Sequence, residues 1–83
     1  MVPNKGAIAI CEAGHRGLIT SAIPVKGIWH GLHMGPDMVG KPWQSKKPNV
    51  LRYTSPSTFK MLLATMERAT KMYGLHNPSQ DPA

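Results

Sequence analysis

Four potential metal ligands occur in two close pairs in the first half of the chain: Cys11 with His15, and His30 with His33. Thiolate and imidazole are ligands that structural zinc prefers, and two such pairs can close a tetrahedral site. A zinc ion would also stabilise a chain of 83 residues, because small domains bury little surface. The alternative is a buried thiol with histidines at surface or interface positions. We expect this alternative, with no metal and no cofactor.

Nucleophilic catalysis would need Cys11 or a serine beside a histidine that a carboxylate orients. Glu12 and His15 are close to Cys11 in sequence. Such triads are nevertheless assembled on a rigid scaffold that excludes water, and a chain this short offers little scaffold. The glycines match neither the dinucleotide-binding nor the P-loop spacing. The sequence therefore predicts a protein that is not an enzyme.

The stretch from 41 to 52 combines four cations with one aromatic residue and contains no acid. The cations are Lys41, Lys46, Lys47 and Arg52. In a protein that binds single-stranded RNA, Trp43 could stack on a base while the cations contact phosphates. The same residues would also suit an extended strap that docks on another protein, with Trp43 filling a pocket there. We expect this protein contact rather than RNA binding. The four cations are then candidate contacts to phosphate or to another anionic surface.

The net charge of the whole chain bears on the same choice between RNA and another anionic surface. Ten Lys and Arg against four Asp and Glu give a formal net charge of +6. The surplus comes from scarce acids, whereas a dedicated nucleic-acid binder clusters many cations on one face. This surplus suits an acidic protein surface, anionic lipid headgroups or plain solvation better than RNA. We expect no transmembrane helix, since no apolar run is long enough, and the lone cysteine without a secretory signal indicates a reducing compartment or the mitochondrial matrix.

One segment has a clear helical period, because apolar residues in the C-terminal third recur at spacings of three and four. The residues of this apolar stripe are Phe59, Leu62, Leu63, Met66, Ala69 and Tyr73. Ser55 or Ser57 can cap the first turn, Pro56 suits its first position, and Gly74 can end the helix. The spacing predicts an amphipathic helix over about 56–73. Nothing comparable in the chain can cover its apolar face, so we expect a partner to do so.

Glycine and proline interrupt the chain before this helix at short intervals, which excludes long helices and strands there. We predict a mostly irregular, extended chain with one amphipathic C-terminal helix and no independent globular core. Its four segments are an apolar N-terminal segment (1–24), in which we expect a short helix near 7–13 rather than a buried strand, an extended Gly/Pro-rich strap (25–55), the amphipathic helix (56–74) and a C-terminal tail (75–83).

Such a chain must obtain its order from other molecules, because ordering each backbone residue costs about 1–2 kcal/mol. The expected partner-docking residues are Trp29, Trp43, Phe59, Leu62, Leu63, Met66 and Tyr73. We therefore expect a non-catalytic accessory subunit that stabilises its neighbours in a large multisubunit assembly. Its basic, acid-poor composition favours a mitochondrial energy-transducing complex, a respiratory-chain complex or ATP synthase, on the matrix side or at the inner membrane.

A second interpretation comes from a resemblance. Residues 26–33, which read Lys-Gly-Ile-Trp-His-Gly-Leu-His, and Lys47-Pro48-Asn49-Val50 resemble the mitochondrial branch of the family of the twenty-eighth protein of the large ribosomal subunit. The chain lacks the basic run that this family carries before the Pro-Asn pair. The resemblance implies rRNA binding at the subunit surface. Our alternative function is accordingly a small mitochondrial ribosomal protein that contacts rRNA through the 41–52 stretch.

Overall fold

The computed structural model describes residues 2–36 and 38–76, with the backbone alone for 72–76. Within these residues it contains five β-strands followed by one α-helix. The elements are β1 (Ala7–Ile10), β2 (Arg16–Ile19), β3 (Trp29–His33), β4 (Pro42–Ser45), β5 (Asn49–Tyr53) and α1 (Pro56–His76). The strands form one antiparallel sheet in the order β4-β3-β2-β1-β5. The predicted tail beyond residue 76 lies outside the described residues.

The prediction of a mostly irregular chain without a globular core is wrong. The short helix expected near 7–13 is absent, since the N-terminal segment forms β1 and β2. The segment predicted to be an irregular strap contains β3, β4 and β5. Each strand has only four or five residues, and two of them contain a glycine, Gly17 in β2 and Gly31 in β3. Pro42 begins β4 at the sheet edge and Pro48 immediately precedes β5, positions where a missing N–H costs no central ladder hydrogen bond.

The short connection between β4 and β5 forces the sheet to curl. These two strands are at opposite edges of the sheet, and only residues 46–48 join them. In a flat sheet the two edges would be about 19 Å apart, whereas this connection can span at most about 14 Å. The edges therefore approach each other at the turn. The sheet has a concave inner face and an outer face that carries α1.

The inner face is packed with small residues around one large side chain, that of Trp43. Its buried residues are Ala7, Ala9, Ile19 and Trp43, with Cys11, Trp29 and Val50 packed against them. The Trp43 ring lies on Gly17, where an added Cβ would be 2.4 Å from the ring. At Gly31 an added Cβ would be 2.0 Å from the Leu18 carbonyl oxygen of β2. Glycine inside these strands thus permits close packing, which is why it does not prevent their formation.

The outer face is covered by α1. Its buried cluster is Ile8, Leu18 and Met66, with Leu32, Met34, Val39, Phe59 and Leu62 packed against it. The backbone N–H of Thr58 donates to the Ser55 hydroxyl at 3.2 Å, so Ser55 caps the first turn ahead of Pro56. The predicted helix is confirmed, but it continues to His76 through Gly74. The expectation that the chain holds nothing to cover the apolar stripe is wrong, because its own sheet packs against Phe59, Leu62 and Met66.

Candidate functional site

The predicted zinc ligands do not converge. Residues three apart on a strand point to opposite faces, so β3 directs His30 to the outer face and His33 to the inner face. His33 meets His15 of the β1–β2 turn, with ring centroids 5.2 Å apart in an edge-to-face contact. Cys11 is half-buried against the inner cluster. Among the described residues no group of three or more His, Cys, Asp or Glu is placed to hold a metal ion.

The histidine pair is connected to the inner core. The indole N–H of Trp43 donates to the His15 carbonyl at 3.0 Å, which fixes the β1–β2 turn over the sheet. Partial burial, and then the nearby charges of His15 and Lys41, lower the pKa of His33 from its ordinary value. The pair therefore favours a neutral imidazole at position 33, an arrangement that suits packing.

Glu12 holds the turn between β4 and β5. Its carboxylate accepts hydrogen bonds from the Ser45 hydroxyl and, at 3.3 Å each, from the backbone N–H groups of Lys46 and Lys47. The hydrogen bond from Ser45, followed by that from Lys46, keeps the pKa of the Glu12 carboxyl below its ordinary value. The sequence suggested this acid only as a neighbour of Cys11. Its structural contacts are with a turn more than 30 residues away.

The basic stretch predicted over 41–52 is divided between the two opposite edge strands of the sheet, β4 and β5. Lys46 and Lys47 lie in the turn that Glu12 holds, and Arg52 is exposed on the edge strand β5. Lys41 is exposed just before β4. We refer to Lys46, Lys47 and Arg52 with the turn and strand that carry them as the basic edge. Trp43 faces the other way and is only 2% exposed, so it neither stacks on a base nor fills a pocket on another protein.

Most of the other predicted docking residues also pack within the chain. Phe59, Leu62 and Met66 lie against the outer face of the sheet, and Trp29 is half-buried against the inner cluster. Leu63 lines an open groove of about 440 Å³ between α1 and the sheet. The Tyr73 side chain lies outside the described residues.

Arg16 is a candidate binding residue that the sequence analysis missed. It shares a depression of about 270 Å³ on the outer face with Arg52, and the other lining residues are Ile8, Met34 and Leu51. The two arginines are far apart in sequence and meet only through the register of β1 with β2 and β5. No local pattern signals such a pair, so strand pairing is the one observation that could have found it.

Comparison of this chain with protein-family models, with curated protein sequences and with solved structures finds no match. The ribosomal resemblance consequently remains an expectation from the sequence. Among the residues that the structure describes, no helix combines the length and the hydropathy needed to cross a bilayer.

Proposed function

We propose that this protein is a non-catalytic accessory subunit of a large multisubunit assembly and that its basic edge docks on an anionic surface of a neighbouring subunit. The supporting observation is that Lys46, Lys47 and Arg52 are exposed together along one turn and one edge strand. The nearby carboxylate of Glu12 accepts hydrogen bonds from the turn backbone. These hydrogen bonds constrain the backbone of the turn, and both lysines remain exposed.

The chain has its own buried core, so a partner is not needed to order it. The accessory subunit we propose thus contributes a preformed basic surface, and electrostatic complementarity chiefly speeds encounter and selects the partner. An edge strand also offers unpaired backbone N–H and C=O groups to a partner strand, and its cations discourage pairing with a second copy of the same edge.

The assembly we propose is a mitochondrial energy-transducing complex, a respiratory-chain complex or ATP synthase, on the matrix side or associated with the inner membrane. This placement rests on composition, ten basic residues against four acidic ones. Anionic lipid headgroups are a further proposed contact for the same cations, because each exposed lysine or arginine near such a surface is attracted by about 1 kcal/mol.

The alternative is a small mitochondrial ribosomal protein whose basic edge contacts rRNA. The observation that favours it is the position of Arg16 beside Arg52, which adds a fourth cation next to the basic edge. Because Trp43 is buried, these contacts would be to phosphates, without stacking on bases. Affinity for RNA would then fall with salt with a slope that reflects about three or four phosphate contacts.

The decisive experiment is affinity purification of the full-length chain from mitochondria, with and without nuclease. We expect a defined set of subunits to co-purify, and Lys46→Glu with Lys47→Glu to reduce their recovery about tenfold because the charge of the docking surface is reversed. Lys26→Glu with Lys71→Glu makes the same charge change in the loop before β3 and beside the groove at Thr20 and Leu32, and it is the matched control. Recovery that nuclease abolishes would favour the ribosomal alternative. Recovery of the chain alone would contradict both proposals.

A further inference from the structure

Arg16 and Arg52 lie on the same side of the sheet, diagonally across β1. Arg16 pairs with Ile10, and Arg52 pairs with Ile8, two residues earlier on the same strand. Side chains two residues apart on a strand point to the same face, so both arginines extend from the outer face. Regular strand spacing puts their Cα atoms about 12 Å apart. Two long side chains at this separation can reach a common ligand between them.

The space between the two arginines is a depression with an apolar floor. It has a volume of about 270 Å³ and is lined by Ile8, Met34 and Leu51 as well as by the arginines. Leu51 reaches it because the register of β5 with β1 shifts between Ile8 and Ala9, a β-bulge that inserts one extra residue. Leu51 is 40% exposed, although it is a large apolar side chain beside a core cluster. None of the described residues of α1 lines the depression, so it is open to a ligand.

The two positive charges have no ion-pair partner in the described part of the chain. Neither guanidinium forms a hydrogen bond or an ion pair with any described residue, and no acidic residue lines the depression. Two cations beside one depression attract an anion to the space between them. An anion placed there would gain charge-assisted hydrogen bonds from both guanidinium groups.

We propose that this depression binds a phosphate monoester, with Arg16 and Arg52 donating to the phosphate oxygens and the apolar floor contacting the organic group. A phosphate monoester carries a charge of about −1.5 to −2 at neutral pH, which matches two guanidinium groups. Its three terminal oxygens can accept from two planar forks that approach from different directions, whereas a carboxylate is satisfied by one fork. The apolar floor distinguishes an ester from inorganic phosphate.

This site goes beyond the proposed accessory function and does not depend on it. The phosphate monoester could belong to a free small molecule or to a phosphorylated side chain of a neighbouring protein, and the chemistry at Arg16 and Arg52 is the same. Only Arg52 is shared with the basic edge. Lys46→Glu with Lys47→Glu would therefore test docking while leaving both arginines of the depression in place.

Phenyl phosphate is a suitable probe, because it joins a phosphate monoester to a flat apolar group. We would titrate it into the isotope-labelled full chain and follow the NMR signals of Arg16, Leu51 and Arg52, with inorganic phosphate and benzoate as comparison ligands. We expect phenyl phosphate to bind at least about tenfold more tightly than benzoate, and about three- to tenfold more tightly than inorganic phosphate. Equal affinity for phenyl phosphate and benzoate would overturn the proposal.

Variants separate a specific site from general attraction to a basic protein. Arg16→Gln should weaken binding of phenyl phosphate about tenfold or more, since it removes charge-assisted hydrogen bonds. Lys26→Gln removes the same charge from an exposed loop and should change affinity less than about twofold, as expected for a distant screened charge. Equal effects of the two substitutions would overturn the proposal.

Arg52→Lys tests the site without changing the net charge. Lysine keeps the cation but loses the planar fork, so we expect affinity for phenyl phosphate to fall about three- to tenfold. An unchanged affinity would show that the fork is not used and would contradict the proposed geometry. A phosphoserine peptide titrated in parallel identifies the source of the ester: tighter binding than phenyl phosphate indicates a protein-borne phosphate, and weaker binding indicates a small molecule.

Discussion

The two faces of the sheet are stabilised in different ways. The outer face is covered by a separate element, α1, which contributes Met66 and its apolar neighbours to a cluster with Ile8 and Leu18. The inner face is covered by the sheet itself, because curling brings Trp43 of edge strand β4 over small residues of the central strands. One face thus depends on a repeating stripe of medium-sized side chains, and the other on the fit of one large ring against glycine.

This difference predicts different sensitivities to substitution. A repeating stripe distributes its contacts over several side chains, so the loss of one leaves the others in place. The inner face concentrates its contacts in one indole that also donates to the His15 carbonyl. Substitutions on the inner face should accordingly lower the unfolding free energy more than those on the outer face, whether they remove atoms or add them.

Trp43→Ala should have the largest effect. It removes a buried ring from the centre of the inner cluster and its hydrogen bond, and such truncations cost about 3–5 kcal/mol in unfolding free energy. Urea denaturation followed by circular dichroism measures this change. Trp29→Ala, at a half-buried position of the same cluster, is the comparison and should cost less. If the two variants were equally stable, Trp43 would not be the centre of the inner face.

Met66→Ala tests the outer face. Met66 is 3% exposed, and truncation of a buried methionine costs about 2–5 kcal/mol, with the lower part of this range expected where neighbours share the contacts. Met61→Ala on the same helix is a matched control, because Met61 is 62% exposed and should change the unfolding free energy by less than about 0.5 kcal/mol. Similar losses for the two methionines would mean that α1 does not pack on the sheet as described.

Gly17→Ala tests the fit on the inner face from the opposite direction. The added Cβ would be 2.4 Å from the Trp43 ring, and such overpacking costs about 1–3 kcal/mol. In a Trp43→Leu background the ring is gone, so the same substitution should cost at least about 1 kcal/mol less. A double-mutant cycle of unfolding free energies measures this coupling. Additive effects would show that Gly17 and Trp43 are not in contact.

The smallest expected effect concerns pH. Because the pKa of His33 is lower in the folded chain than its ordinary value of about 6.5, the unfolded state binds the proton more readily as pH falls below that value. Stability conferred by His33 is thus present above about pH 6.5 and is lost as pH falls through the folded pKa. His33→Asn should reduce this pH dependence in thermal melts, whereas His30→Asn on the other face should retain it. Equal pH profiles for the two variants would contradict the assignment.

The helix could be predicted from the sequence and the strands could not. Helical period, Ser55 as cap and Pro56 at the first turn are local signals, and all agree. Each strand has only four or five residues and lies in a stretch rich in glycine and proline. A segment this short does not hold enough residues to show the two-residue alternation of a strand. The glycines that argued against strands are the residues that allow Trp43 and neighbouring backbone to approach.

The candidate sites also divide into features that local sequence shows and features that depend on strand pairing. The cations of the 41–52 stretch were evident because they are neighbours in sequence, and three of them, Lys46, Lys47 and Arg52, lie along the β4–β5 turn and the β5 edge. The orientation of Trp43 and the partnership of Arg16 with Arg52 could not be anticipated. Both depend on which strands pair and in which register, and a shift of one residue would reverse the face of every side chain.

By itself, the sequence determined an amphipathic helix and a surplus of positive charge, since both are set by residues that are close in the chain or simply counted. Tertiary structure alone decided that this helix has an internal partner, that the sheet curls around one indole, and that two distant arginines share a depression. The physical reason is that side-chain period is a property of a segment. Sheet curvature and cross-strand register are properties of segments in contact.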